Sequence, residues 1–169
     1  RFRLERELRE VARDFRKTVI LVSHDRDETF RLADKIAILS NGKLDVCGDK
    51  ADVFRDPSTR QAAILTGCKN ISRIEKIDDH RVRALDWDNL ELSTEKTVTE
   101  DVTSIGIRAH DFEPLAGEEV KAKKEAGEEN LIPVVDPSIS EMPFEWYITL
   151  SNGLWWKKEK TIHTHDAAG

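Results

Sequence analysis

The sequence predicts an α/β segment of parallel strands and helices, followed by a small all-β, OB-like barrel domain. Three observations predict it. A helix-spaced apolar stripe leads directly into an uninterrupted apolar run, Thr18-Val19-Ile20-Leu21-Val22. An Asn41-Gly42 pair flanked by apolar runs then signals a hairpin, with two short helical stretches after it. Beyond Gly67 the texture changes to short strand-like runs separated by turn residues, the pattern of a small barrel or sandwich.

In the first part, Leu4, Leu8, Val11 and Phe15 recur at helical spacing with Ala12 beside them and charges between. That pattern predicts an amphipathic helix with one buried stripe. The run at 18–22 has no alternation, so it reads as a strand buried on both faces of a parallel sheet. Ser23-His24-Asp25 closes it. Residues 27–33 read as a short helix, 35–39 and 43–46 as strands joined by Ser40-Asn41-Gly42, and about 50–54 as another helix. Pro57 then precedes a helix capped by Ser58 or Thr59 that runs to Leu65 and stops at Gly67.

In the second part, strands are expected at 71–77, 81–85, 90–93, 102–108, 131–135, 146–150 and 154–157, the last two joined by Ser151-Asn152-Gly153. Residues 113–129 are dense in charge and contain Gly117 and Gly127, which predicts a mobile loop. The divisions are therefore 1–66, 67–160 and a disordered tail over 161–169, with the boundary near Thr66.

Composition excludes some functions. Charged residues make up 36% of the 169 and the formal net charge is -6. A grip on nucleic-acid phosphates needs a basic stripe instead. No apolar run approaches the ~18 residues that span a bilayer. Cys47 and Cys68 form no C-x-x-C pair and read as reduced, packed thiols of a cytosolic protein. The chain opens on Arg1 instead of methionine, and the expectation is a fragment.

The segment with the most chemistry is Val19-Ile20-Leu21-Val22-Ser23-His24-Asp25 with Glu28 after it. Ligands of doubly wound sheets bind beyond the C-terminal ends of parallel strands. An imidazole held there suits phosphate chemistry, because one nitrogen can donate to a γ-phosphate oxygen or hold the attacking water. Asp25 could orient the loop or cap the next helix. Adjacent residues at a strand end cannot line up as a nucleophilic triad.

His24, Asp25, Glu28, Leu32, Ala33, Asp34, Ile36, Gly42, Gly48, Val53, Phe54 and Pro57 resemble, in order and spacing, the segment after the Walker B strand of ABC-transporter ATPases. The match is most similar to the sulfate/molybdate importer branch. The later Gly67-Cys68-Lys69-Asn70-Ile71, Ile105-Gly106-Ile107-Arg108-Ala109-His110-Asp111 and Glu141-Met142-Pro143-Phe144-Glu145 resemble the accessory β-domain of those importers, the TOBE or molybdate-binding-like domain. The resemblance implies a partial P-loop NTPase fold, with His24 as the switch histidine that contacts the ATP γ-phosphate in the closed dimer. It implies ATP and Mg²⁺ as cofactors of the intact subunit, and transmembrane permease subunits and a second copy of the ATPase subunit as partners. It places the protein in the cytoplasm, peripheral on the inner face of the membrane.

The sequence contains no G-x-x-x-x-G-K-[ST] loop, no aspartate-glutamate pair for Mg²⁺ at a preceding strand end and no Leu-Ser-Gly-Gly signature. The chain alone is therefore expected neither to bind ATP usefully nor to hydrolyse it. For an oxyanion ligand of the β-domain, Lys69, Ser72 and Ser138 are candidates that no spacing rule selects. Lys121, Lys123 and Lys124 read as part of a charge-mixed solvated loop. Trp146, Tyr147, Trp155 and Trp156 read as packing residues in preference to a stacking platform for single strands, and no nucleic acid is expected as a partner. His163 and His165 lack a third metal ligand, and no metal site is expected. Two functions stay open: the ATP-hydrolysing subunit of an oxyanion importer, and a stand-alone oxyanion-binding or dimerising regulatory module.

Overall fold

A computed structural model describes residues 2–15, 17–127 and 129–160. The expected tail at 161–169, with His163 and His165, lies outside them, as does Glu128. The chain divides into two compact units, Arg1–Gly67 and Cys68–Gly169. An α/β segment followed by a β-rich unit is the architecture found, with every strand pairing antiparallel.

The first unit holds α1 (Phe2–Phe15), α2 (Arg26–Leu32), the hairpin β1 (Lys35–Ser40) and β2 (Lys43–Asp49), then α3 (Lys50–Arg55) and α4 (Arg60–Leu65). Asn41 and Gly42 both take positive φ, 50° and 73°, as a two-residue turn matching strand twist requires. The hairpin register shifts between Ile38 and Leu39. Ile36 and Ile38 on β1 meet Val53 on α3 and Ala62 on α4 in a small buried core, with Ala33, Val46 and Phe54 around it. The Phe30 and Phe54 rings pack edge-on at 4.8 Å. Thr59 caps α4, accepting from the Ala62 N–H at 3.1 Å while its hydroxyl donates to Asp45. Gly67 ends the helix at φ 93°, where a side chain would collide with Arg26.

Two expectations fail in this unit. Residues 18–22 form no strand. A strand exists only through its ladder partners, and a parallel partner is not among the described residues. Ile20 and Val22 are consequently 86% and 91% exposed. The stripe of α1 is not buried either: Leu8, Val11 and Phe15 face solvent. The helix is held instead by buried Glu5, which accepts two hydrogen bonds of 2.8 Å from Arg31 of α2.

The second unit is a curled half-barrel of two antiparallel sheets. One has the order β5-β4-β3-β6, from β3 (Asn70–Lys76), β4 (Arg81–Ala84), β5 (Leu90–Ser93) and β6 (Ser104–Ile107); the other is β7-β8-β9. The last three are β7 (Ser138–Glu141), β8 (Glu145–Thr149) and β9 (Trp155–Glu159). Val82, Ala84, Trp87 and Leu92 from the first sheet and its turn share a core with Ile148 of the second and with Leu150 and Leu154 from the turn between its strands β8 and β9. Buried Asn70 clips the sheets together. Its amide donates to the Trp155 carbonyl and its side-chain oxygen accepts from the Trp155 N–H, both at 2.7 Å.

Here too the sequence misleads in places. Residues 131–135 are not a strand, because Pro133 removes a ladder donor; β7 pairs with β8 in their place. The predicted loop over 113–129 contains α5 (Glu118–Glu125). That helix has no buried residue, but Glu118 and Glu119 start it and Lys123 and Lys124 end it, which suits the helix dipole. Of the cysteines, Cys68 is buried and Cys47 is exposed, so only one is a packed thiol. Burial pushes the Cys68 thiol up from its ordinary value.

Candidate functional site around His24

Sequence and helix-start chemistry together define where His24 lies. It occupies a bend directly before α2 and is exposed. Asp25 is the N-cap of that helix, its side chain accepting from the Glu28 N–H at 2.9 Å. The Asp25 carbonyl accepts from the Thr29 N–H at 2.9 Å and the Thr29 hydroxyl at 2.8 Å. Asp25 therefore caps the next helix as its residue type suggests.

The other side of His24 is held by Ser23. Its hydroxyl donates to Glu28 Oε2 at 2.7 Å and accepts from the Asp25 N–H at 3.1 Å. Sequence reasoning missed this link, because the Asp25-x-x-Glu28 spacing of a capping box points Glu28 at the Asp25 N–H and not at Ser23. The imidazole itself makes no hydrogen bond or ion pair among the described residues. A neighbour fixing its second nitrogen is thus not supplied. The arrangement presents an imidazole to solvent from a backbone anchored on both sides, and such a group can donate to an anionic oxygen.

Nothing nearby completes a nucleotide site. Among the described residues no three His, Cys, Asp or Glu side chains gather as metal ligands, and the phosphate-cradling loop is absent from the sequence. These residues do not fit a Mg²⁺–ATP complex by themselves. No helix of the described residues is long and apolar enough to cross a membrane.

The oxyanion candidates in the second unit do not gather into a site. Ser72 is buried with its hydroxyl committed, donating to the Arg73 carbonyl at 2.7 Å and accepting from the Asp86 N–H at 2.9 Å. Lys69 and Ser138 are exposed, Ser138 on the edge strand β7. Trp146 and Trp156 pack against the core, with the Lys160 ammonium 4.5 Å from the Trp146 ring centre. Trp155 is more open and meets Tyr147 edge-on at 6.2 Å. The Tyr147 hydroxyl donates to Glu145, whose carboxyl is held below its ordinary range by the Lys157 ammonium first and by Tyr147 second. Lys121 and Lys124 stand exposed and Lys123 half-buried on α5.

No protein-family model matches the chain. It is similar to the spermidine/putrescine import ATP-binding protein PotA of Vibrio cholerae, 26% identical over 160 residues that make up 91% of this chain and 41% of that protein. The protein of the same name from Roseobacter denitrificans is 32% identical over 109 residues, 63% of this chain and 29% of that one. The choline transport ATP-binding protein OpuBA of Bacillus subtilis is 27% identical over 100 residues, 59% of this chain and 26% of its own length. The chain thus spans less than half the length of these relatives. All three relatives are named as ATP-binding proteins of import or transport systems, and the chain is similar to them.

Proposed function

We propose that the chain is the part of an ABC-importer ATP-binding subunit that follows its phosphate-binding core, and that His24 contacts the terminal phosphate of ATP in the complete subunit. The carrying observation is the exposed imidazole on a doubly anchored Ser23-His24-Asp25 segment in a homologue of importer ATP-binding subunits. Phosphoryl transfer depends on positioning and charge stabilisation. An imidazole N–H aimed at the terminal phosphate contributes to both, while Lys, backbone amides and Mg²⁺ come from the remainder of the subunit. On this reading the permease and a second ATP-binding subunit are the partners, the location is the cytoplasmic face of the membrane, and residues 67–160 act as an accessory β-domain.

The solute is a finer matter. The β-domain motifs resemble those of molybdate and sulfate importers, whereas the relatives are named for spermidine, putrescine and choline. The names of the relatives favour an organic cation over an oxyanion as the transported solute, and the commitment of the Ser72 hydroxyl to backbone partners removes one candidate oxyanion ligand from the β-domain. A stand-alone oxyanion-binding module is the competing reading, and calorimetry of this chain against molybdate, tungstate and sulfate separates them. Absence of heat supports the importer subunit, and tight binding favours the module.

The role of His24 is tested in a subunit that supplies the phosphate-binding loop. His24→Ala is expected to lower ATP turnover by at least about tenfold, the scale of losing one preorganised donor to a developing charge, with nucleotide binding retained. Near-normal turnover would overturn the assignment.

A further inference from the structure

The backbone around His24 is bracketed by a single hydroxyl. In an ordinary capping box the glutamate at the third helical position reaches back to the N-cap N–H itself. Here Glu28 accepts from Ser23 Oγ at 2.7 Å, and Ser23 Oγ accepts in turn from the N–H of the N-cap, Asp25, at 3.1 Å. The hydroxyl spans His24, tying the residue before it to the residue after it. Glu28 also donates its own N–H to Asp25 Oδ1 at 2.9 Å, so three residues close a loop of hydrogen bonds from which the His24 ring is left out.

We propose that Ser23 and Glu28 are positioning residues for His24, a role that rests on the phosphate contact proposed above. A carboxylate acceptor makes the Ser23 hydroxyl bond charge-assisted and short. That fixes the direction of the hydroxyl and leaves its lone pair facing the Asp25 N–H. The main chain at both ends of His24 is thereby ordered before any ligand arrives, and the ordering cost falls on folding instead of on phosphate engagement. The ring keeps both nitrogens available because none of the bracketing bonds uses them. Neither residue touches phosphate; each acts through the placement of His24.

Amide exchange followed by NMR on the full chain tests the bracket. Ser23→Ala is expected to accelerate exchange of the Asp25 amide by about tenfold, the equivalent of one hydrogen bond, while the Thr29 amide changes by less than about twofold because its bond to the Asp25 carbonyl remains. Ser23→Thr keeps the hydroxyl and restores protection. His24→Ala leaves it intact. An Asp25 amide indifferent to Ser23→Ala, or Asp25 and Thr29 amides accelerated equally, would overturn the proposal, the second result reducing Ser23 to a stabiliser of the helix start. In a subunit carrying the phosphate-binding loop, Ser23→Ala is expected to lower kcat with the KM for ATP unchanged, and Ser23→Thr to rescue it. Normal kcat in Ser23→Ala beside an impaired His24→Ala overturns the positioning role alone. Normal turnover in His24→Ala removes the phosphate reading itself.

Discussion

Val82 and Val22 are the same residue type in opposite situations. Val82, on β4, is 1% exposed between two sheets, whereas Val22, just before the Ser-His-Asp segment, is 91% exposed. The contrast extends to the units that hold them. In the second, eight buried side chains among the described residues, from both sheets and the loops beside their strands, close one core, with Phe112, Trp146 and Trp156 among those packed around it. In the first, four buried residues form the core while Leu8, Val11, Phe15 and all of Val19, Ile20, Leu21 and Val22 face outward. Composition does not separate these segments; partners do. An apolar run is buried only where another element supplies a face to cover it, and the described residues of the first unit supply none for 18–22.

The largest consequence is a difference in stability. Leu154 is fully buried where the β-sheets meet, so Leu154→Ala should cost about 2–5 kcal/mol. Urea unfolding followed by amide exchange should show the loss confined to residues 68–160, with amides in the first unit unaffected. A loss shared equally by both units would break the comparison and make them one cooperative body.

A smaller effect lies in the pH dependence of the second unit. The Lys157 ammonium and the Tyr147 hydroxyl hold the Glu145 carboxyl below its ordinary value. A carboxyl depressed by folding stabilises the fold above its unfolded value, about 4.3, and loses that contribution as the pH falls through its lower folded value. Glu145→Gln should therefore lower this unit's neutral plateau and make the acid limb of its stability profile shallower, while leaving its stability at the acid end nearly unchanged. An unaltered acid limb would mean that the pair contributes nothing, as exposed pairs often do.

How much of this was legible depended on whether the signal was local. The Asn41-Gly42 turn, the Thr59 cap and the stop at Gly67 are each written in a few residues, and the structure has all three. The start of α2 was legible in the same way, through Asp25. What failed needed information from elsewhere in space. The continuity of 18–22 describes what that segment prefers to be covered by, not whether a cover is present. Pro133 was local, and its loss of a donor should have outweighed the apolar residues around it. The helix α5 was hidden because charges at its ends, not an apolar stripe, support it. The Ser23 hydroxyl bridge needed coordinates, since a serine two residues before a helix cap has many possible partners.

The smallest expected effect is also the sharpest test of the contrast. Ile20→Lys and Val22→Lys place charge at positions 86% and 91% exposed. Surface substitutions away from special features change stability by no more than about 0.5 kcal/mol, so the unfolding profile of the first unit should not move. Exposed apolar runs with unpaired backbone do favour association of chains. Sedimentation velocity should then show less self-association for the double variant than for the unsubstituted chain at the same concentration. Marked destabilisation would instead mean that 18–22 is already covered, because a lysine forced into an apolar contact loses hydration without gaining a partner. In a longer subunit that supplied a parallel partner strand to cover the run, the same substitutions should be severely destabilising; two residues would thus be neutral in one context and disruptive in the other.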